Sequence, residues 1–107
     1  MAMPVLEEIV ELLDLPDRGK DAPTLDRIED TLTEGYAQAL ALEAERLRIE
    51  RRLGEVARGA NGNANLSAEL TSLSARLTCA DGELTRLRAL LGTLHDRARL
   101  LRRARRR

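Results

Sequence analysis

The chain has 107 residues with 18 basic and 18 acidic side chains, a formal net charge of zero and one aromatic residue, Tyr36. A chain this short holds one domain, and without Phe or Trp it lacks the large rings that usually anchor a compact globular core. Leu, Ala, Glu and Arg predominate and 34% of residues are charged, the composition of long helices and coiled coils and not of a sandwich or α/β domain.

Disorder is the other state open to so charged a chain, but its leucines are numerous and regularly spaced, which disordered segments are not. No apolar run reaches the roughly 18–20 residues that cross a bilayer, and the first residues lack the basic start and apolar core of a secretory signal. A cytoplasmic location without membrane contact is expected. Cys79 is the single cysteine, so no intrachain disulfide and no cysteine metal cluster is expected. Lys20 is the one lysine among the basic residues, an arginine bias that points to a GC-rich bacterial source.

In chain order, residues 4–15 (PVLEEIVELLDL) set Val5, Ile9 and Leu12 on one helical face, with Leu6 and Leu13 beside them. This predicts a short amphipathic helix. Residues 16–23 follow as a linker, since "LPDRGKDAP" carries two prolines and a glycine. Thr24 is a suitable cap for the next helix.

A first long arm is predicted over 24–57. Positions 25, 28, 32, 35, 39, 42, 46, 49, 53 and 56 read Leu, Ile, Leu, Gly, Ala, Leu, Arg, Ile, Leu, Val, and alternating steps of three and four are the a/d seam of a coiled coil. Gly35 lowers helix propensity by up to about 1 kcal/mol and leaves room for a close neighbour. Arg46 can run its stem across the seam and keep its head in water. The stretch "ARGANGNAN" then predicts a turn over 58–65.

A second arm is predicted over 66–105. Its seam at 66, 70, 73, 77, 80, 84, 87, 91, 94, 98 and 101 is Leu or Ala throughout, with Asn65 or Ser67 expected to cap its start. Two long helices joined by a short turn fold back antiparallel. The expected fold is all-α, one helical domain over 1–107: a long antiparallel helical hairpin with a short N-terminal helix.

A second apolar row widens the seam. Tyr36, Leu40 and Leu47 stand one position past seam residues, and Leu90 and Leu100 one position before them. A two-stranded hairpin leaves that row in water, whereas bundle helices need such wide stripes. Dimerisation into a four-helix bundle is therefore expected, with the N-terminal helix as the competing cover.

Charge is segregated. Residues 1–34 hold ten acids and three bases, a net of −7, whereas 97–107 hold seven arginines and no acid. A hairpin brings these blocks to one end, so Asp26, Glu29 and Asp30 are expected to face Arg99, Arg102, Arg103, Arg105, Arg106 and Arg107, each block also favouring its own helix dipole. The same arginines are the candidate surface for a partner.

Chemistry is sparse. His95, Cys79 and Tyr36 fall at unrelated positions, and no metal-ligand spacing or phosphate loop is present. A rodlike hairpin also offers no deep concave pocket in which catalytic groups gather. No catalytic residue, cofactor or metal is expected. Three hairpin families are set aside: secondary-channel transcription factors need acids at the tip, WxG-type secreted hairpins need a Trp, and cyclic-dinucleotide anti-sigma hairpins need a Glu-x3-Ser helix motif. This chain has none of these.

The resulting expectation is a non-enzymatic coiled-coil interaction module, a small bacterial adaptor or regulator acting as a homodimer and contacting another protein. Nucleic acid gripped by the arginine tail is the less favoured partner, because aromatics, a helix-turn-helix and excess positive charge are missing. A third alternative is a ligand-sensing dimer in which Arg48, Arg51 and Arg52 meet an anionic nucleotide.

Overall fold

The computed structural model describes residues 3–59 and 64–105. It contains α1 (Pro4–Asp14), α2 (Leu25–Gly59) and α3 (Ala64–Arg105), with no strand among the described residues. α2 and α3 pack against each other in an all-α arrangement. Two compact units are formed, the first by the residues up to Ala39 together with those from Arg86 onward, the second by Leu40–Thr85.

α1 starts with Pro4 in its first turn, where a missing N–H costs nothing because that N–H has no partner inside the helix. It ends one residue short of the predicted boundary, with Leu15 extended at its C-cap, because the residue before Pro16 is pushed out of the helical region. Val5, Ile9 and Leu12 are its buried face, at the spacing the sequence shows. In the linker the Ala22 N–H donates to the Gly19 carbonyl at 3.2 Å. Gly19 has φ +97°, a conformation open to glycine at little cost.

Thr24 caps α2 as expected: the Arg27 N–H donates to Thr24 Oγ1 at 3.2 Å and the Ile28 N–H to the Thr24 carbonyl at 3.1 Å. α2 runs two residues further than predicted, through Arg58 and Gly59. α3 begins at Ala64, so Asn65 and Ser67 lie inside its first turn and neither is the cap. Alanine, the best helix former, extends the helix back past the predicted start. Of the predicted turn, residues 60–63 lie outside the described residues.

Every seam position of both arms is buried or half-buried. In the first unit α1 adds a third helix to the α2–α3 pair. The residues with no exposed surface among those described, Ile9, Leu12, Ile28, Leu87, Leu94 and Ala98, all belong to it. Gly35 sits at its tightest point. A Cβ there would fall onto Leu91 Cδ2 and lie 3.5 Å from Ile9 Cδ1, so the glycine lets a side chain of α3 and one of α1 converge on α2. In the second unit Ile49, Val56 and Leu73 form the buried cluster, with Leu53, Leu66, Leu70 and Leu77 packed around it.

Candidate functional site

Taking the α2 seam as a (25, 32, 39, 46, 53) and d (28, 35, 42, 49, 56), and α3 correspondingly as a (70, 77, 84, 91, 98) and d (66, 73, 80, 87, 94, 101), gives every flanking side chain a place. In antiparallel pairs the g positions of the two helices share one side and the e positions the other. Within the second unit the g side is laced by ions. Arg52 grips Glu69 in a two-point contact, Nε to Oε1 at 2.8 Å and Nη2 to Oε2 at 3.2 Å, and Arg76 reaches Glu45 at 3.0 Å.

Glu45 also accepts from Arg48 at 2.9 Å. The Arg48 hydrogen bond, ahead of that from Arg76, holds its carboxyl below the ordinary range. Hydrogen bonds to Glu69 and then Glu55 raise Arg52 above its ordinary value. These pairs are solvent-exposed and individually weak; their value lies in selecting alignment. Two of the three arginines of the nucleotide-sensing alternative, Arg48 and Arg52, are thus already engaged. Arg46, the seam arginine, reaches Asp81 at 3.4 Å and Glu50 at 3.7 Å. Its Nε is buried without a hydrogen-bond partner among the described residues.

In the first unit α1 occupies the g side. Thr31 Oγ1 donates to Glu8 at 3.1 Å. Arg97, at g of α3, donates from Nη1 to the Leu12 carbonyl at 2.9 Å and pairs through Nη2 with Asp17 at 2.9 Å. One guanidinium therefore fastens the last turn of α1 and the linker behind it to α3. Arg97 belongs to the basic block legible in the sequence, yet nothing in that pattern distinguishes it from its neighbours. Only its g position beside the last-turn carbonyls of α1, which have no partner four residues on, does so. Arg97→Met, which keeps most of the stem, is expected to cost about 1–3 kcal/mol through the lost charge-assisted bonds. Hydrogen exchange of the α1 amides should quicken more than that of α2.

The predicted charge-pairing residues divide. Arg102 meets Glu29, Nη2 to Oε1 at 3.1 Å. Asp26, Asp30, Arg99, Arg103 and Arg105 have no ion-pair partner among the described residues, and Arg106 and Arg107 lie outside the described residues. Position explains the division: Glu29 and Arg102 are both e positions and face each other, while Arg99 and Arg103 point away from the seam and Arg105 lies beyond the last seam residue, Leu101, all three exposed.

The predicted apolar row divides as well. Leu90 falls on the g side that α1 occupies and is half-buried. Leu100 remains 64% exposed on α3. Tyr36, Leu40 and Leu47 occupy e and b positions of α2, and Tyr36 lies on the side away from α1. They stay 47%, 66% and 48% exposed. Large apolar side chains at 36, 40 and 47 repeat at helical spacing and form one stripe.

In the first unit an open cleft of ≈ 630 Å³ lies between the linker and the end of α3. Pro16, Pro23 and Leu100 supply apolar walls, and Arg18 and Arg103 stand at its edge. His95 Nδ1 lies 3.9 Å from the Asp96 carboxylate, and Cys79 is exposed. Among the described residues no group of His, Cys, Asp or Glu is arranged to hold a metal ion, and no helix is long and apolar enough to cross a membrane. Compared with family models, with curated proteins and with solved structures, the chain matches none.

Proposed function

We propose that the protein is a non-enzymatic helical interaction module, a small adaptor or regulator of the bacterial cytoplasm that works as a homodimer and presents its charged surface to another protein. The observation that supports this is the α2 stripe of Tyr36, Leu40 and Leu47, each about half exposed or more although every seam position is buried or half-buried. Single exposed leucines are ordinary, but a repeated stripe on one helix is what a partner covers. The wide apolar face that bundle helices require is thereby completed by a second chain.

Light scattering at micromolar concentration is expected to give twice the mass of the 107-residue chain. Leu40→Asp or Leu47→Asp should shift it toward the monomer while leaving the helical signal intact, because neither side chain supports the single-chain core. A wild-type mass of one chain would defeat the proposal.

A second reading is favoured by Arg99, Arg103 and Arg105, exposed and with no ion-pair partner among the described residues: contact with nucleic-acid phosphates through the end of α3. Binding to any duplex that weakens steeply with added salt would select it, because phosphate neutralisation releases counterions.

A further inference from the structure

We propose that the cleft beside the end of α3 is a docking site for an acidic segment of another protein, one that carries an aliphatic side chain between its carboxylates. This rests on the reading of the chain as an interaction module, not on its dimerisation, and adds the place and the chemistry of the contact.

The cleft lies wholly within the first unit, since its lining residues all fall between 16 and 23 or between 93 and 104. One wall is the linker, through Pro16 and Pro23, and the other is α3. Pro23 is buried and Leu101, a seam residue, is half-buried, so the cleft reaches the apolar seam. Leu100, 64% exposed, lines it as well. The two walls are tied together before any partner arrives. Arg97, itself a lining residue, donates to the Leu12 carbonyl at 2.9 Å and pairs with Asp17 at 2.9 Å. The prolines fix their own φ angles. A preformed site of this kind lowers the ordering cost of binding.

Charge decides what fits. Arg97 and Asp17 neutralise each other. Arg18 and Arg103 line the same cleft with no ion-pair partner among the described residues. A second groove shares Leu100 and Arg103 with the first and adds Arg99, also without an ion-pair partner among the described residues. Asp96 opposes them from both grooves, with His95 Nδ1 3.9 Å from its carboxylate. Three arginines against this carboxylate leave a cationic rim around an apolar centre. An aliphatic side chain against Leu100 and Pro16, with carboxylates on either side of it reaching the arginines, satisfies both parts, and guanidinium–carboxylate bonds are among the stronger polar contacts. Nucleic acid fits less well: phosphates make no use of apolar walls, and among the described residues no aromatic side chain lines the cleft for a base to stack on. The cleft is open, so one face of any occupant stays outside it, which suits a segment of a larger chain better than a small molecule that a pocket must enclose.

Fluorescence anisotropy on the full chain tests the site with three labelled probes: a short glutamate peptide with a central leucine, the same peptide with serine for leucine, and the same with lysines for the glutamates. The glutamate–leucine probe is expected to bind, and each altered probe to bind at least about tenfold more weakly. Leu100→Ser and Arg103→Glu change exposed side chains and should leave the melting temperature unchanged, yet each is expected to weaken the first probe by about tenfold. Equal binding of the leucine and serine probes reduces the effect to loose charge attraction and overturns the proposal. So does binding that Leu100→Ser leaves intact, absence of binding at millimolar probe, or binding of a DNA duplex in place of the peptide. Light scattering on the same samples separates this site from the homodimer. A one-chain mass with the expected peptide binding removes the homodimer and leaves the site, whereas a two-chain mass without peptide binding does the reverse. A two-chain mass that Leu100→Ser reduces to one assigns the cleft to a second copy and overturns the proposal.

Discussion

Leu94→Ala is expected to destabilise the protein by about 2–5 kcal/mol, because it removes a buried side chain and leaves a cavity that its neighbours fill only in part. Leu94 has no exposed surface and stands at a d position of α3 in the unit where three helices meet. A domain of this size has about 5–15 kcal/mol of stability in total, so the substitution is expected to move a urea or thermal midpoint by a large fraction of its range. Leu100→Ala is the internal comparison. The same atoms are removed six residues further along the same helix, but Leu100 is 64% exposed, and a change within about 0.5 kcal/mol is expected. Similar losses for the two would mean that the apolar seam does not carry the fold.

Gly35→Val is expected to cost about 2–3 kcal/mol by overpacking, although it replaces a poor helix former with a better one. The first added carbon already falls onto Leu91, and the branch brings more atoms toward Ile9. Leu91 is only 3% exposed and Ile9 is fully buried, so neither can swing into solvent to make room. Gly82→Ala is the counterpart. A Cβ there meets nothing within 4 Å, and the gain in helix propensity should raise stability by about 0.5–1 kcal/mol. Thermal melting of both variants checks the pair. Opposite signs are the expected result, and a stabilising Gly35→Val would show that α1 does not hold Ile9 against α2.

The sequence by itself determined the seam and therefore the pairing of the two long helices. A step of three and four residues fixes which side of a helix is apolar, whatever lies opposite, and this is why spacing alone assigns positions 25 through 56 and 66 through 101 to the seam. It also determined the buried face of α1 and the Thr24 cap, since both depend on residues within two turns of each other.

Tertiary structure alone decided which side of the α2–α3 pair α1 would take. That choice settled the rest of the first unit. It half-covered Leu90, left Tyr36 on the far side, and turned Arg97 from one of seven arginines into the anchor of a helix C-terminus. The apolar face of α1 matches either side of the pair in pattern. What separates the sides is the gap at Gly35, the reach of Thr31 to Glu8 and the bond from Arg97 to the Leu12 carbonyl, contacts between residues 23 to 85 positions apart. Periodicity records the direction of a side chain but not the partner it meets. A charge run likewise records sign and not distance, so only geometry could separate Arg102, within reach of Glu29, from Arg99 and Arg103, which face away from it.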